Sequence, residues 1–143
     1  MLKSKATATW TGSFKQGAGT MNPATAAEIP FSTGTRFESQ QGSNPEELVG
    51  AALAGCFSMA LSVGLEKSGA TPKAIRTSAE VTLEKRDDGF TITRIHLDTE
   101  VEADGIEEDA FQEIATNTKT SCPVSKALAA VDTISLDAHL RSA

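Results

Sequence analysis

The sequence is poor in aromatic residues and in cysteine: among 143 residues it has no tyrosine, one tryptophan and two cysteines. Cys56 and Cys122 form no Cys-x-x-Cys motif, and the two histidines are not spaced as paired ligands. These absences argue against a zinc site, and no other metal is expected. Because glutathione and thioredoxin keep intracellular thiols reduced, a functional role or simple burial explains such a pair better than a structural disulfide does.

Positive charge is also scarce, with 13 Lys and Arg against 19 Asp and Glu and a net charge of −6. No basic run is present that would neutralise a row of phosphates, so nucleic acid is not an expected partner. Lys3 and Lys5 precede no apolar stretch, which is not the pattern of a secretory signal. We therefore expect the protein in the cytoplasm.

One long uncharged segment, residues 48–65, just reaches the minimum length of a membrane span. Its centre is a weakly hydrophobic run of alanine and glycine, and basic or aromatic anchors do not flank it closely at both ends. A soluble helix that is apolar on all sides, and therefore buried on all sides, explains the segment better. No membrane partner is expected.

The clearest helix start lies just before this segment. Asn44 is a favourable N-cap, Pro45 suits the first helical position, and Glu47 would complete a capping box. The helix is predicted to run to Ser68 and to stop at Gly69.

Alternating apolar and polar residues predict the strands. An antiparallel pair is expected within residues 5–20, and a short strand around 35–38 follows a loop. In a later hairpin the apolar phase slips by one residue, which predicts a β-bulge near Thr93 and Arg94. After the long helix, a strand is predicted at 75–84, a turn at 87–89 and a return strand at 90–101. Two helices follow, at 107–119 and from 123 onward, and a last strand is predicted at 134–140.

This order of elements predicts a single α+β domain over residues 1–143 with an antiparallel sheet. One sheet covers only one side of an apolar helix, so the remaining surface of that helix needs a second cover. A second copy of the chain is the economical cover, and we expect a homodimer.

Local chemistry alone favours Cys122 as the reactive cysteine. It precedes Pro123 at a predicted helix N-terminus, with Lys126 one turn further on. Cys56 lies in the middle of an apolar helix, where most cysteines are inert core residues.

Two charged residues have equally plain explanations on local grounds. Arg36 with Glu38 is readily explained as an exposed pair on a strand edge. Glu46 is readily explained as an acidic residue that favours a helix N-terminus.

Four segments in order change this ranking, because together they resemble the OsmC/Ohr family of hydroperoxide reductases, and in particular its osmotically inducible OsmC branch. They are Thr35-Arg36-Phe37-Glu38, Asn44-Pro45-Glu46-Glu47-Leu48, Ala54-Gly55-Cys56-Phe57-Ser58-Met59-Ala60-Leu61 and Cys122-Pro123-Val124-Ser125. The resemblance extends over nearly the whole chain. Gly55 departs from the family pattern, in which alanine is more usual at this position.

The resemblance implies a fold in which an antiparallel sheet wraps around a long central helix in a two-chain intertwined dimer. It also implies that Cys56 is the peroxidatic cysteine and Cys122 the resolving cysteine, with Arg36 and Glu46 as supports. No cofactor is implied. An external dithiol, of the lipoyl type, would return the protein to its reduced form.

The implied reaction explains these residue types. A thiolate at Cys56 attacks the O–O bond of an organic hydroperoxide, an alcohol leaves, and the resulting sulfenic acid condenses with Cys122 to a disulfide. A guanidinium remains charged in an apolar site, so Arg36 would lower the pKa of the thiol and bind the peroxide oxygens. A lining of Phe37, Phe57 and Met59 would favour alkyl or aryl hydroperoxides over hydrogen peroxide.

Helix geometry leaves the place of Glu46 open. Ten residues on one straight helix separate Glu46 from Cys56 by about 15 Å along the axis and by about 80° around it. Either the long Arg36 side chain spans part of this gap, or antiparallel packing of two such helices brings the partner's Glu46 close to Cys56.

Two other functions compete with the peroxidase. One is a thiol-disulfide oxidoreductase without peroxidase activity, although the usual Cys-x-x-Cys spacing is missing. The other is a non-enzymatic dimeric stress protein that encloses an apolar ligand and keeps both cysteines buried and idle.

Overall fold

From the long helix onward, strands and helices follow one another as the sequence patterns predict, and the computed structural model describes every residue from Met1 to Ala143. In chain order the elements are β1 (Ala6–Thr11), β2 (Ala18–Pro23), β3 (Ile29–Ser32), α1 (Thr33–Phe37), α2 (Pro45–Lys67), β4 (Thr71–Arg86), β5 (Gly89–Asp104), α3 (Glu108–Ser121), α4 (Pro123–Ala127) and β6 (Thr133–Arg141). Two compact units are distinguished, residues 1–48 and 49–143, and the boundary falls inside α2.

Each unit contains one three-stranded sheet, which confirms the predicted α+β class. In the first unit β1, β2 and β3 form an antiparallel meander. In the second unit β4 and β5 are antiparallel, but β6 lies parallel to β5. The expectation of a wholly antiparallel sheet is therefore wrong for β6, because α3 and α4 form a crossover that carries the chain back to the end of the sheet at which β5 started.

The predicted β-bulge is present in β5. Thr82 is opposite Arg94 and Leu83 is opposite Ile92, so Thr93 is the additional residue. The bulge absorbs the slip in the apolar phase, so Ile95, on the far side of it, points into the core and is fully buried.

Helix α2 begins as the sequence predicts but with a different use of one side chain. The Asn44 side chain accepts a hydrogen bond of 2.8 Å from the backbone N–H of Glu47, as expected of an N-cap. The Glu47 carboxylate accepts a hydrogen bond from the Ser43 hydroxyl at 3.3 Å instead of completing the capping box. The helix ends at Lys67, and Gly69 has a φ of +90°, which favours glycine.

One row of side chains on α2 supplies the centre of the core in the second unit. It consists of Leu53, Phe57, Leu61 and Leu65, four residues apart and fully buried. By length and composition α2 would also be able to cross a membrane, a test that the core helix of a soluble protein passes equally. The packing of this row against β5 side chains such as Leu97 and Val101 favours the core-helix interpretation.

A second row on α2 is apolar but exposed. It contains Ala51, Gly55, Met59 and Val63, again four residues apart. Met59 is 75% exposed and Val63 48% exposed. A helix that is apolar on all sides is thus covered on one side only within the chain.

The first unit has little interior of its own. All six residues of β1 are exposed, and no apolar side chain before Val49 is fully buried. The two buried residues of this unit are Gly34 and Glu46. A three-stranded sheet needs an apolar face packed against something to be stable, so this unit calls for further cover.

The prediction of a strand around residues 35–38 is wrong, since Thr33–Phe37 form the short helix α1. Ser32 is its N-cap: the Ser32 hydroxyl accepts from the backbone N–H of Thr35, and the Thr35 hydroxyl oxygen accepts from the backbone N–H of Ser32. Threonine and phenylalanine favour strands on average, but this reciprocal capping box satisfies the backbone of the first turn and fixes a helix. The helix carries Arg36 in its last turn.

Candidate active site

Cys122 lies at the junction of two helices. Its backbone N–H donates to Thr118 at the end of α3, and its backbone carbonyl accepts from Lys126 in α4. Pro123 occupies the first turn of α4, where its missing N–H costs nothing. The chain therefore turns sharply at Cys122, and the turn fixes the position of the sulfur.

The Cys122 sulfur acts as the N-cap acceptor of α4. The backbone N–H of Ser125 donates to it at 3.4 Å, and the Ser125 hydroxyl lies 3.0 Å from it. Both residues are buried, with Cys122 at 1% and Ser125 at 5% exposure. The sulfur therefore has two hydrogen-bonding groups of Ser125 next to it.

Cys56, in the middle of α2, lies next to Cys122. The two cysteine side chains lie 3.7 Å apart, and both are free thiols. Cys56 is partly exposed, whereas Cys122 is buried. The sulfurs need to approach by only about 1.7 Å to reach the S–S bond length of about 2.0 Å.

The surroundings of Cys56 act on its pKa in opposite directions, and the net effect is an increase. Burial raises the pKa most, a backbone hydrogen bond from Val124 lowers it, and the hydrogen bond and charge of Cys122 raise it again. Cys56 as it stands in the single chain is therefore a thiol that needs a further positive group to become a thiolate near neutral pH.

Arg36 and Glu46 form an ion pair in the first unit. The Nε atom of Arg36 donates to both carboxylate oxygens of Glu46 at 3.1 Å, and Nη2 forms a further short contact with Oε1. The side chain of Glu46 is 10% exposed and that of Arg36 is 30% exposed. This bidentate geometry holds the guanidinium in a fixed orientation while part of it remains accessible.

An aromatic cavity of about 310 Å³ adjoins the guanidinium in the first unit. Four aromatic side chains line it together with Arg36, and they are Trp10, Phe14, Phe31 and Phe37. The Arg36 guanidinium carbon lies 5.1 Å from the centre of the Phe37 ring. An apolar wall beside a fixed cation is suited to a ligand with one apolar end and one end rich in oxygen.

The structure supports the predicted apolar lining for Phe37 and contradicts it for Phe57. Phe57 is fully buried in the core of the second unit and lines no accessible cavity. Met59 belongs to the exposed row on α2. Of the three residues predicted to line the pocket, Phe37 lies in this cavity with Arg36.

The structure brings the four predicted site residues together as two pairs, Cys56 with Cys122 and Arg36 with Glu46. Sequence reasoning missed the backbone of Val124 and the side chain of Ser125, which bind the two sulfurs. A signal for both was present: Pro123 starts a helix directly after Cys122, so the N–H groups of its first turn lack partners within the helix.

Comparison with known proteins shows the family of this chain. A family model described as OsmC-like protein matches residues 38–137, and the chain belongs to this family. The resemblance drawn from the sequence motifs is thereby confirmed.

Individual relatives agree with this assignment. The chain is 46% identical over 143 residues to the peroxiredoxin OsmC of Escherichia coli strain K12, and the match covers 99% of both chains. It is equally similar to the peroxiredoxin OsmC of Shigella flexneri.

Solved structures with much lower identity share the fold. The OsmC-like protein of Mycoplasma pneumoniae matches with a TM-score of 0.77 at 17% identity, covering 97% of each chain. An organic hydroperoxide resistance protein from Elizabethkingia anophelis matches with a TM-score of 0.75 at 19% identity, covering 100% of this chain and 99% of the other.

Replacement of Cys122 by alanine is expected to lower the pKa of Cys56. The hydrogen bond and the charge of Cys122 both raise this pKa, so their removal favours the Cys56 thiolate and moves the midpoint of its titration to lower pH. Thiolate absorbance or the alkylation rate measured against pH reports the midpoint. Ser121→Ala, at an exposed neighbour, is the control, and an unchanged or higher midpoint in Cys122→Ala would show that Cys122 does not raise the pKa of Cys56.

Proposed function

We propose that this protein is a thiol peroxidase that reduces organic hydroperoxides in oxidative stress defence, with Cys56 as the peroxidatic and Cys122 as the resolving cysteine. The observation that carries the proposal is the pair of free cysteines 3.7 Å apart, one partly exposed and the other buried. Relatives named peroxiredoxin OsmC and organic hydroperoxide resistance protein support it.

The exposure of the two sulfurs assigns their order of reaction. A hydroperoxide reaches Cys56 first, and the Cys56 thiolate attacks one peroxide oxygen and breaks the O–O bond. The second oxygen leaves as part of the alcohol, and Cys56 keeps the attacked oxygen as a sulfenic acid. Cys122, already adjacent, attacks that sulfur, water leaves, and a Cys56–Cys122 disulfide remains.

A positive group is needed to form the thiolate, because burial raises the pKa of Cys56. Cys56 is the twelfth residue of α2, too far from its N-terminus to gain much from the helix dipole. The Arg36 guanidinium, fixed by Glu46, is the group we assign to this task. It would also donate to the peroxide oxygens as negative charge develops on them.

We propose that the guanidinium acts across a homodimer, on Cys56 of a second copy. Glu46, which anchors Arg36, is ten residues before Cys56 on the same helix, or about 15 Å along its axis. The exposed apolar row on α2 includes Gly55, where an added Cβ would meet nothing within 4 Å. A second α2 packed antiparallel on this row would cover it, and it would also complete the poorly buried first unit.

The aromatic cavity beside Arg36 suggests the substrate class. Its four rings would hold an alkyl or aryl group, while the guanidinium binds the hydroperoxide oxygens. Organic hydroperoxides fit this arrangement better than hydrogen peroxide, which has no apolar part. An external dithiol, of the lipoyl type, would then reduce the disulfide.

Cysteine variants test the mechanism directly. With a dithiol present, Cys56→Ser is expected to abolish hydroperoxide consumption, because the remaining thiol, Cys122, is buried and not accessible for the first step. Cys122→Ser is expected to permit one stoichiometric oxidation followed by poor turnover, because the sulfenic acid has no resolving partner. Hydroperoxide consumption in the presence of dithiol measures both, and full activity of Cys56→Ser would reject the mechanism.

The role of the cavity is tested by comparing two oxidants. Wild type is expected to reduce cumene hydroperoxide with a higher kcat/KM than hydrogen peroxide. Phe14→Ala removes one wall and should lower the value for cumene hydroperoxide about tenfold, the effect of losing part of an aromatic contact area, with little change for hydrogen peroxide. Phe90→Ala, in the hairpin of the second unit, is the control. Equal efficiency of wild type with both oxidants would contradict the assignment.

Mixed dimers test whether the site is shared between chains. Arg36→Ala and Cys56→Ser are each expected to be inactive alone. Unfolded together and refolded, they should recover about one quarter of wild-type activity, because half of the dimers are mixed and each mixed dimer has one complete site. No recovery in a mixture shown to contain mixed dimers would place both residues in the same chain.

A further inference from the structure

Cys122 is the less accessible of the two sulfurs, and this matters for the step that regenerates the protein. It is 1% exposed at the turn between α3 and α4, whereas Cys56 is partly exposed on α2. The gap of 3.7 Å is small enough for side-chain rotation to close it, so disulfide formation does not require Cys122 to leave its buried position. An external thiol therefore meets Cys56 first in the disulfide as well.

The two sulfurs also differ in the donors around them. Cys122 has the Ser125 hydroxyl at 3.0 Å and the Ser125 backbone N–H at 3.4 Å. Cys56 receives one backbone hydrogen bond, from Val124. A thiolate accepts but does not donate, so the Ser125 hydroxyl becomes a donor when Cys122 is charged. Charge that develops on a departing sulfur is thus better stabilised at Cys122.

We infer that the reductant attacks Cys56, and that Ser125 stabilises Cys122 as the departing thiolate. The inference rests on the proposed Cys56–Cys122 disulfide and adds the direction of its reduction. Access to the attacked sulfur and stabilisation of the leaving sulfur determine which sulfur of a disulfide is attacked. Here both factors favour attack on Cys56 with Cys122 as the leaving group. Attack on Cys122 would require a reductant to reach a buried atom and would release the sulfur with fewer donors.

The step balances as an ordinary thiol-disulfide exchange. One thiolate of a dithiol forms a bond to the Cys56 sulfur, and the bond between Cys56 and Cys122 breaks with both electrons going to Cys122. The second thiolate of the dithiol then attacks the dithiol sulfur that is bonded to Cys56, and Cys56 departs as a thiolate. The dithiol is oxidised by two electrons to a cyclic disulfide, and its two protons go to the two cysteines.

Peptide mapping of wild type tests the site of attack. The disulfide is formed with diamide, so the test does not depend on peroxidase activity, and it is then exposed briefly to β-mercaptoethanol and quenched in acid. The mixed disulfide is expected on Cys56, and its presence on Cys122 would overturn the inference. If hydroperoxide fails to oxidise Cys56 in a parallel sample, the proposed peroxidase fails, while the diamide experiment still reports the direction of exchange.

The role of Ser125 is tested by its alanine variant. Ser125→Ala is expected to slow reduction of the diamide-formed disulfide by dithiothreitol about tenfold, the effect of losing one hydrogen bond to a charged atom. Oxidation of Cys56 by one equivalent of hydroperoxide is measured in parallel and should lose less than reduction does, and Ser125→Thr, which keeps the hydroxyl, should restore reduction.

Ser121→Ala is the matched control, since this exposed serine directly precedes Cys122. Circular dichroism verifies folding, and Ser125→Gly replaces the alanine variant if that variant does not fold. A wild-type rate of reduction without the hydroxyl would exclude the role of Ser125, and so would an equal loss in both half-reactions.

Discussion

The contact between Cys56 and Cys122 depends on a single turn of the backbone. Cys122 is the C-cap of α3 and the N-cap of α4, and Pro123 fixes the change of direction between the two helices. Both hydrogen-bonding groups of its backbone are used by the helices on either side, so the residue has little freedom to move. The rest of the second unit, with α2 packed on its sheet, serves to present the other sulfur to this fixed position.

The first unit holds a cation, the Arg36 guanidinium, in an apolar setting. A capping box forms α1, the last turn of α1 carries Arg36, and the start of α2 supplies the carboxylate that orients it. Each of these is a short-range feature of the chain. What the unit lacks is an interior, and the proposed homodimer would cover its exposed strands and the exposed row on α2.

The sequence allowed most of this architecture to be predicted where one local signal dominated. The cap at Asn44, the stop at Gly69 and the bulge at Thr93 each followed from a strong rule and are present. The errors arose where a longer-range or reciprocal interaction decided the outcome. A Ser32–Thr35 capping box overrode strand propensity in α1, and the path of α3 and α4 made β6 parallel.

The sequence motifs selected the candidate residues of the site but not its geometry. Family motifs selected Cys56, Cys122, Arg36 and Glu46, whereas no spacing rule gives a distance between sulfurs that are brought together by tertiary packing. The prediction that Phe57 lines the pocket was wrong for a related reason. Phe57 follows Cys56 in sequence, but neighbouring residues on a helix point in different directions, and Phe57 points into the core.

The closeness of the sulfurs has a chemical consequence for a chain of this kind. A sulfenic acid that forms within a side-chain rotation of its partner is captured quickly, which leaves a second molecule of oxidant little time to convert it to the irreversible sulfinic state. The buried sulfur meanwhile is shielded from oxidant by the protein around it. Under the proposed mechanism, this arrangement would protect the protein from inactivation by its own substrate, and the geometry of the two sulfurs alone would provide that protection.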